Sequence, residues 1–217
     1  MNDSYKSADR RSCVRLTPYI YTEEARENLR THKYFGSDAG ISYVWFWNPV
    51  ANKLVTYLPE TIAPNTLTVL GFFHILLPLA MMFIFVGSDY YGPVPSWFCY
   101  LQAWCFFAYR MLDEMDGKQA RRTKNGSALG LIFDHGCDAF GLGFGGLIVF
   151  KCICIGNNSF ALICFASLMT SFHLATLEEY YIGTLALPVC NGVSDGSVLL
   201  IGLFIVTGIC GETIWTH

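Results

Sequence analysis

Charge is scarce in this sequence and unevenly withheld. Asp, Glu, Lys and Arg make up only 14% of its 217 residues, against about 25% in soluble domains. Three stretches, 61–88, 90–109 and 152–177, contain none of the four. The first 40 residues lack an apolar run behind a basic start, so no cleaved signal peptide is expected and the first spanning helix acts as its own insertion signal. Metal-ligand or disulfide spacing is missing as well: the nine cysteines are scattered and only Cys152 and Cys154 stand close together. They read as small apolar side chains inside buried helices. There is no internal repeat and no low-complexity tract. Nothing resembles a nucleic-acid footprint, and a net charge of -3 says nothing about partners in a membrane protein.

Apolar length is what the chain has instead. Mean hydropathy is +0.38, and each charge-free run is long enough for a membrane span, which needs about 20 apolar residues. Two more segments resemble them. Residues 126–150 are apolar apart from Asp134, His135 and Asp138, and 196–211 form a shorter uncharged run. The expected architecture is an all-α polytopic bundle of five spanning helices preceded by an interfacial amphipathic helix. Eight of the 14 Lys and Arg precede Asn65 and five lie between Arg110 and Lys124, so the positive-inside rule places the N-terminus and the 110–127 segment in the cytosol.

Residues 1–40 form a cytosolic arm with a helical middle, "TEEARENLR", which opens on a Thr cap followed by two acids. The next stretch, "YVWFWNPVANKLVTYLP", is too short and too polar to span and suits a helix lying in the interface. Trp45, Phe46 and Trp47 would anchor it at headgroup depth. The "GLGFGG" run at 141–146 has no strand before it and reads as close helix packing, not as a nucleotide loop.

The charge that is present collects in "DEMDGKQARRTKNGSALGLIFDHGCD", residues 113–138. Helical spacing puts Asp113, Asp116, Gly117, Ala120 and Arg121 on one stripe, and Gly130, Asp134 and Asp138 on a second. Two helices packed antiparallel across their short connection would bring four carboxylates together at the cytosolic membrane boundary. Such a group repels itself unless protons or cations neutralise it, and oxygen-only ligands favour a hard cation, Mg²⁺ or Mn²⁺. Gly117, Ala120 and Gly130 leave room for a ligand between the helices, and Arg121 suits a phosphate. The combination suggests phosphoryl transfer on a diphosphate. The basic residues Arg122 and Lys124 read as a topology signal.

The same residues carry a resemblance. The run from Asp113 to Asp138 matches without gap the D-x2-D-G-x2-A-R-x8-G-x3-D-x3-D signature of the CDP-alcohol phosphatidyltransferase family. "DGKQARRT", "FDHGCD", "IAPN" and "HKYFGSDAG" resemble its choline/ethanolamine phosphotransferase branch. The resemblance implies a membrane domain over 41–217. It also implies transfer of phosphocholine or phosphoethanolamine from CDP-choline or CDP-ethanolamine to diacylglycerol, with CMP released. Asp113, Asp116, Asp134 and Asp138 would hold Mg²⁺ or Mn²⁺. Arg121 would bind phosphate, Gly117 and Gly130 would let the nucleotide approach the backbone, and Asn65 would touch the CDP moiety. His135 would take the proton of the diacylglycerol hydroxyl, with Asp138 the competing base. The implied setting is the endoplasmic reticulum or Golgi membrane, and a homodimer is compatible with it.

Two departures from that pattern stand out. Leu131 occupies the position, one helical turn before His135, where this branch often carries Glu. The family core has six spanning helices and five are read here, so the chain resembles a short isoform, a truncated product or an incomplete gene model. Two rivals follow: a catalytically silent homologue that binds nucleotide or a partner, and a family member using another alcohol.

Overall fold

The computed structural model describes residues 22–31 and 35–215 of the chain. The remainder of the expected N-terminal arm, 1–21 and 32–34, lies outside the described residues. The architecture is an all-α membrane bundle. Its elements are α1 (Glu23–Thr31), β1 (Gly36–Asp38), α2 (Asn48–Tyr57), α3 (Pro64–Met81), α4 (Ser96–Thr123), α5 (Ala128–Cys152), α6 (Ser159–Ile182), β2 (Leu185–Leu187) and α7 (Ser194–Cys210). By length and apolar composition, α3 with its continuation to Val86, and α6, qualify to cross a membrane, and α7 is a shorter apolar helix. The charged residues 113–118 and 134–138 set α4 and α5 apart from those two, although both are longer.

Helix ends follow local chemistry. Thr22 Oγ1 accepts the Ala25 amide at 3.1 Å and caps α1, as its sequence foretold. Looser turns of π type precede α2 (Tyr43–Trp47) and extend α3 (Met82–Val86). Helix α4 runs without a break to Thr123, where Lys124 turns left-handed at φ 56 and closes it. Ser127 then caps α5, its hydroxyl accepting the Gly130 amide at 3.0 Å. The reversal between the two acid-bearing helices is thus built from two capping residues.

Helix α4 is the hub, packing on α3, α7 and α2. Helix α3 also packs on α5, and α5 on α6. The expected direct packing of α4 on α5 is replaced by an arrangement in which both rest on α3 and approach each other at few points. The acidic side chains fill the space between them. One buried cluster lies toward the Pro95 end of α4 and includes Met82, Phe98, Cys99, Ile148 and Phe204. A second, of Trp47, Ala51, Leu67, Met111 and Met115, lies toward the acidic end.

The glycine run of α5 behaves as a packing surface. A Cβ at Gly146 would come within 3.0 Å of Leu168 on α6, and one at Gly141 within 3.5 Å of the Tyr109 hydroxyl on α4. Of the described cysteines, Cys99, Cys105 and Cys152 are buried as expected, whereas Cys190 and Cys210 are exposed; all are free thiols.

Two features were not foreseen. Trp47 is 1% exposed, not an interfacial anchor, because its indole Nε1 donates to the Ser194 carbonyl at 3.2 Å and its ring packs in the second cluster. Trp45, 81% exposed, and Phe46 are turned outward. In addition, β1 of the arm pairs in parallel with β2, with Ser37 opposite Ala186, and ties the arm to the connection between α6 and α7. The Asp38 carboxylate reinforces that tie by accepting from the Gly40 amide, Asn191 Nδ2 and Ser194 Oγ.

Replacing Trp47 with Ala should cost about 3 kcal/mol or more, since it empties a fully buried aromatic site. The check is the melting temperature of the detergent-solubilised chain; an unchanged value would contradict this packing.

Candidate active site

The acidic stretch folds so that α4 supplies Asp113, Asp116, Gly117 and Arg121, α5 supplies Gly130, Asp134, His135 and Asp138, and the start of α3 supplies Asn65. Carboxylate oxygens of Asp113, Asp116 and Asp134 all lie within 4.8 Å of one another. Asp138 stands beside this group but is not part of it: its Oδ1 accepts the Tyr109 hydroxyl at 2.6 Å.

Neutralisation of these acids is incomplete. Arg110, buried on α4, donates to Asp113 at 2.5 Å and to Glu114 at 2.5 Å. Lys118 reaches Glu114 at 2.9 Å and lies over the Tyr43 ring. Asp116 accepts the Thr68 hydroxyl at 2.5 Å and Asp138 the Tyr109 phenol. Two bases therefore face five acids. Among the described residues Asp116, Asp134 and Asp138 are in no salt bridge with a Lys or Arg. Asp134 Oδ1 is buried and accepts no hydrogen bond from any described residue. An anion kept from water needs a compensating charge, and three converging oxygen donors with one buried lone pair unengaged fit a hard divalent cation.

Room for a larger ligand adjoins the acids. A Cβ on Gly117 would meet nothing but Arg121 Nη1, at 3.6 Å. Among the described residues no hydrogen bond or ion pair engages the exposed Arg121 guanidinium. A Cβ on Gly130 would come within 3.4 Å of Asn65 Oδ1, so the exposed Asn65 and the glycine face each other across the mouth of the site. On the other side of α5, a groove of about 740 Å³ runs between α5 and α6 and is lined by Leu131, His135, Gly136, Met169 and Phe172 among others. His135 lies on its wall with Nδ1 3.7 Å from Glu179 Oε2.

The sequence-predicted residues thus sort into three acids in one group, Asp138 alongside, Asn65 against Gly130, and His135 turned toward the neighbouring groove. Sequence reasoning missed Arg110, Glu114, Thr68, Tyr109 and Glu179. For Arg110 a signal existed, since Asp113 and Glu114 follow it by three and four residues. Thr68, Tyr109 and Glu179 act across helices, and no local spacing marks them.

Exchange of Arg110 for Met should destabilise the fold by about 3 kcal/mol or more, because it leaves Asp113 without its cation and Glu114 with Lys118 alone. Adding Glu114→Gln should recover part of the loss. Thermal denaturation of the two variants measures this; equal melting points for wild type and Arg110→Met would contradict the pairing.

Comparison with known proteins gives this geometry a context. The family model for CDP-alcohol phosphatidyltransferase matches residues 61–206, a range that holds the candidate site residues from Asn65 to Glu179. An uncharacterized CDP-alcohol phosphatidyltransferase class-I family protein of Schizosaccharomyces pombe is 35% identical over 190 residues, 87% of this chain and 49% of its own length. Choline/ethanolaminephosphotransferase 2 of Arabidopsis thaliana is 33% identical over 189 residues, 87% of this chain and 48% of its own. Cholinephosphotransferase 1 of Xenopus laevis is 30% identical over 216 residues, 94% and 52% respectively. The chain spans about half the length of the curated relatives it matches. With most of its length matched by the family model and an unbroken acidic signature at the meeting point of three helices, the chain belongs to the CDP-alcohol phosphatidyltransferase family.

Proposed function

We propose that the chain transfers phosphocholine or phosphoethanolamine from CDP-choline or CDP-ethanolamine to diacylglycerol, yielding phosphatidylcholine or phosphatidylethanolamine and CMP. The observation that carries this reading is the group of Asp113, Asp116 and Asp134, three carboxylates drawn together with too few bases to neutralise them. Two of the similar proteins named above are a choline/ethanolaminephosphotransferase and a cholinephosphotransferase, which supports the choice of alcohol. The membrane domain over 41–217 is multi-pass, with the acidic site on the cytosolic face of the endoplasmic reticulum or Golgi.

Asp113, Asp116 and Asp134, with Asp138 beside them, hold Mg²⁺ or Mn²⁺. A cation held by these carboxylates would supply positive charge against the pyrophosphate of the CDP-alcohol. Arg121 grips a phosphate through its unengaged guanidinium, while Asn65 and the bare backbone at Gly117 and Gly130 seat the nucleotide. The groove between α5 and α6 takes the apolar acceptor, whose hydroxyl meets His135. There the imidazole accepts the hydroxyl proton, the oxygen forms a bond to the phosphorus bearing the alcohol, and the bond from that phosphorus to the CMP oxygen breaks. A neutral imidazole suits that task near neutral pH. Asp138 is the weaker candidate for base, since Tyr109 already donates to it.

A second reading, a silent homologue that binds nucleotide without turnover, is favoured by Leu131 at the position where a carboxylate often orients the histidine. A third keeps the chemistry with another alcohol.

In lipid with diacylglycerol and Mg²⁺ or Mn²⁺, the chain should release CMP from CDP-choline or CDP-ethanolamine, and Asp116→Asn should abolish release. Binding of CDP without CMP formation would favour the silent homologue. His135→Ala should lower turnover about a hundredfold or more with CDP binding retained; unchanged turnover would move the base role to Asp138.

A further inference from the structure

Position 131, one turn before His135 on α5, holds Leu131. A histidine that must accept a proton at one ring nitrogen works best when the other is fixed by an acceptor, which sets both tautomer and ring orientation. The structure shows where an acceptor is. Glu179 sits in the last turn of α6 with Oε2 3.7 Å from His135 Nδ1, and its side chain is 13% exposed beside 24% for the histidine. The adjacent Glu178 points to the exposed side. Leu131, His135 and Glu179 line the same groove, and Glu179 is the one acid among its lining residues.

The turn that presents Glu179 is fixed on both sides. The Gly183 amide donates to the Glu179 carbonyl at 2.7 Å, and Gly183, at φ +80, ends α6 in the left-handed region. Directly afterwards β2 pairs with β1. Of the other polar side chains that line the groove, His173, Thr176 and Tyr180, Thr176 is engaged with the Phe172 and His173 carbonyls of its own helix. An acid at the end of an apolar helix, drawn inward toward an imidazole, is costly to leave unpaired and so argues for the contact.

We propose that Glu179 is a positioning residue for His135, supplying from α6 the carboxylate that position 131 lacks. Glu179 accepts from Nδ1–H, which selects the tautomer with the ring lone pair on Nε2. Apo hydrogen bonds in catalytic sites are often long and tighten in the loaded complex, which the 3.7 Å separation accommodates. The proposal rests on the transferase reading for its consequence in turnover, but not for the contact itself.

The test uses the 217-residue chain in lipid. Glu179→Gln and Glu179→Ala should lower kcat at least about tenfold, as loss of an orienting group does, with the KM for the CDP-alcohol and CDP binding unchanged. Leu131→Glu introduced into Glu179→Ala should restore most of the lost kcat, because it places a carboxylate on the same face one turn from His135. A merely structural Glu179 would not be rescued from α5. Independently of turnover, the nitrogen NMR shifts of His135 should show the Nδ1–H tautomer in wild type and a mixture in Glu179→Ala. Retained kcat in Glu179→Ala overturns the proposal, as does loss of kcat without rescue while CDP still binds. Should wild type release no CMP, the transferase reading fails and the tautomer decides: a mixture in Glu179→Ala upholds the positioning role and an unchanged tautomer overturns it.

Discussion

Carboxylates brought together away from bulk water repel one another, and in a chain this poor in bases the fold must arrange for that repulsion to be met. Every part of the candidate site follows from the way it is met. Arg110 and Lys118, both nearly buried, take up Asp113 and Glu114. Hydroxyls from α3 and α4, Thr68 and Tyr109, each hold one oxygen of Asp116 and Asp138. What remains is an uncompensated lone pair on Asp134 within reach of Asp113 and Asp116. A divalent cation is the charge that would complete it, and a CDP pyrophosphate is the ligand that such a cation and Arg121 would share.

Helix geometry then divides the chemistry between two sides of α5. Asp134 and Asp138, four residues apart, face the acids of α4, with Gly130 one turn earlier against Asn65 of α3, while His135, one position after Asp134, is rotated toward α6 and its apolar groove. Consecutive residues thus face the acid cluster on one side and an apolar groove on the other. The arrangement fits a reaction joining a water-soluble nucleotide to a lipid. It also explains why the groove wall, and not the acid cluster, supplies the histidine's partner Glu179.

Much of this was legible in the sequence because it is written locally. The ends of α4 and α5, the stripes of Asp113, Asp116, Asp134 and Asp138, and the packing role of the glycines all follow from spacings of three and four. The capping of α1 by Thr22 was legible for the same reason. What escaped notice depends on contacts between distant parts of the chain. Trp47 looked like an interfacial anchor because aromatic composition alone does not distinguish a ring facing lipid from one buried against Met111 and Met115. The pairing of β1 with β2 involves three residues on each side and leaves no periodic trace. Glu179 is one of two adjacent glutamates, and only the approach of α6 to α5 tells them apart.

The central claim is that Asp113, Asp116 and Asp134 hold one divalent cation together with the CDP pyrophosphate. Electron spin resonance of the purified chain loaded with Mn²⁺ and CDP-choline tests it most directly. The account predicts phosphorus hyperfine coupling to the bound Mn²⁺ in wild type and its loss in Asp134→Asn. A bound Mn²⁺ without phosphorus coupling, or coupling that survives Asp134→Asn unchanged, would contradict it.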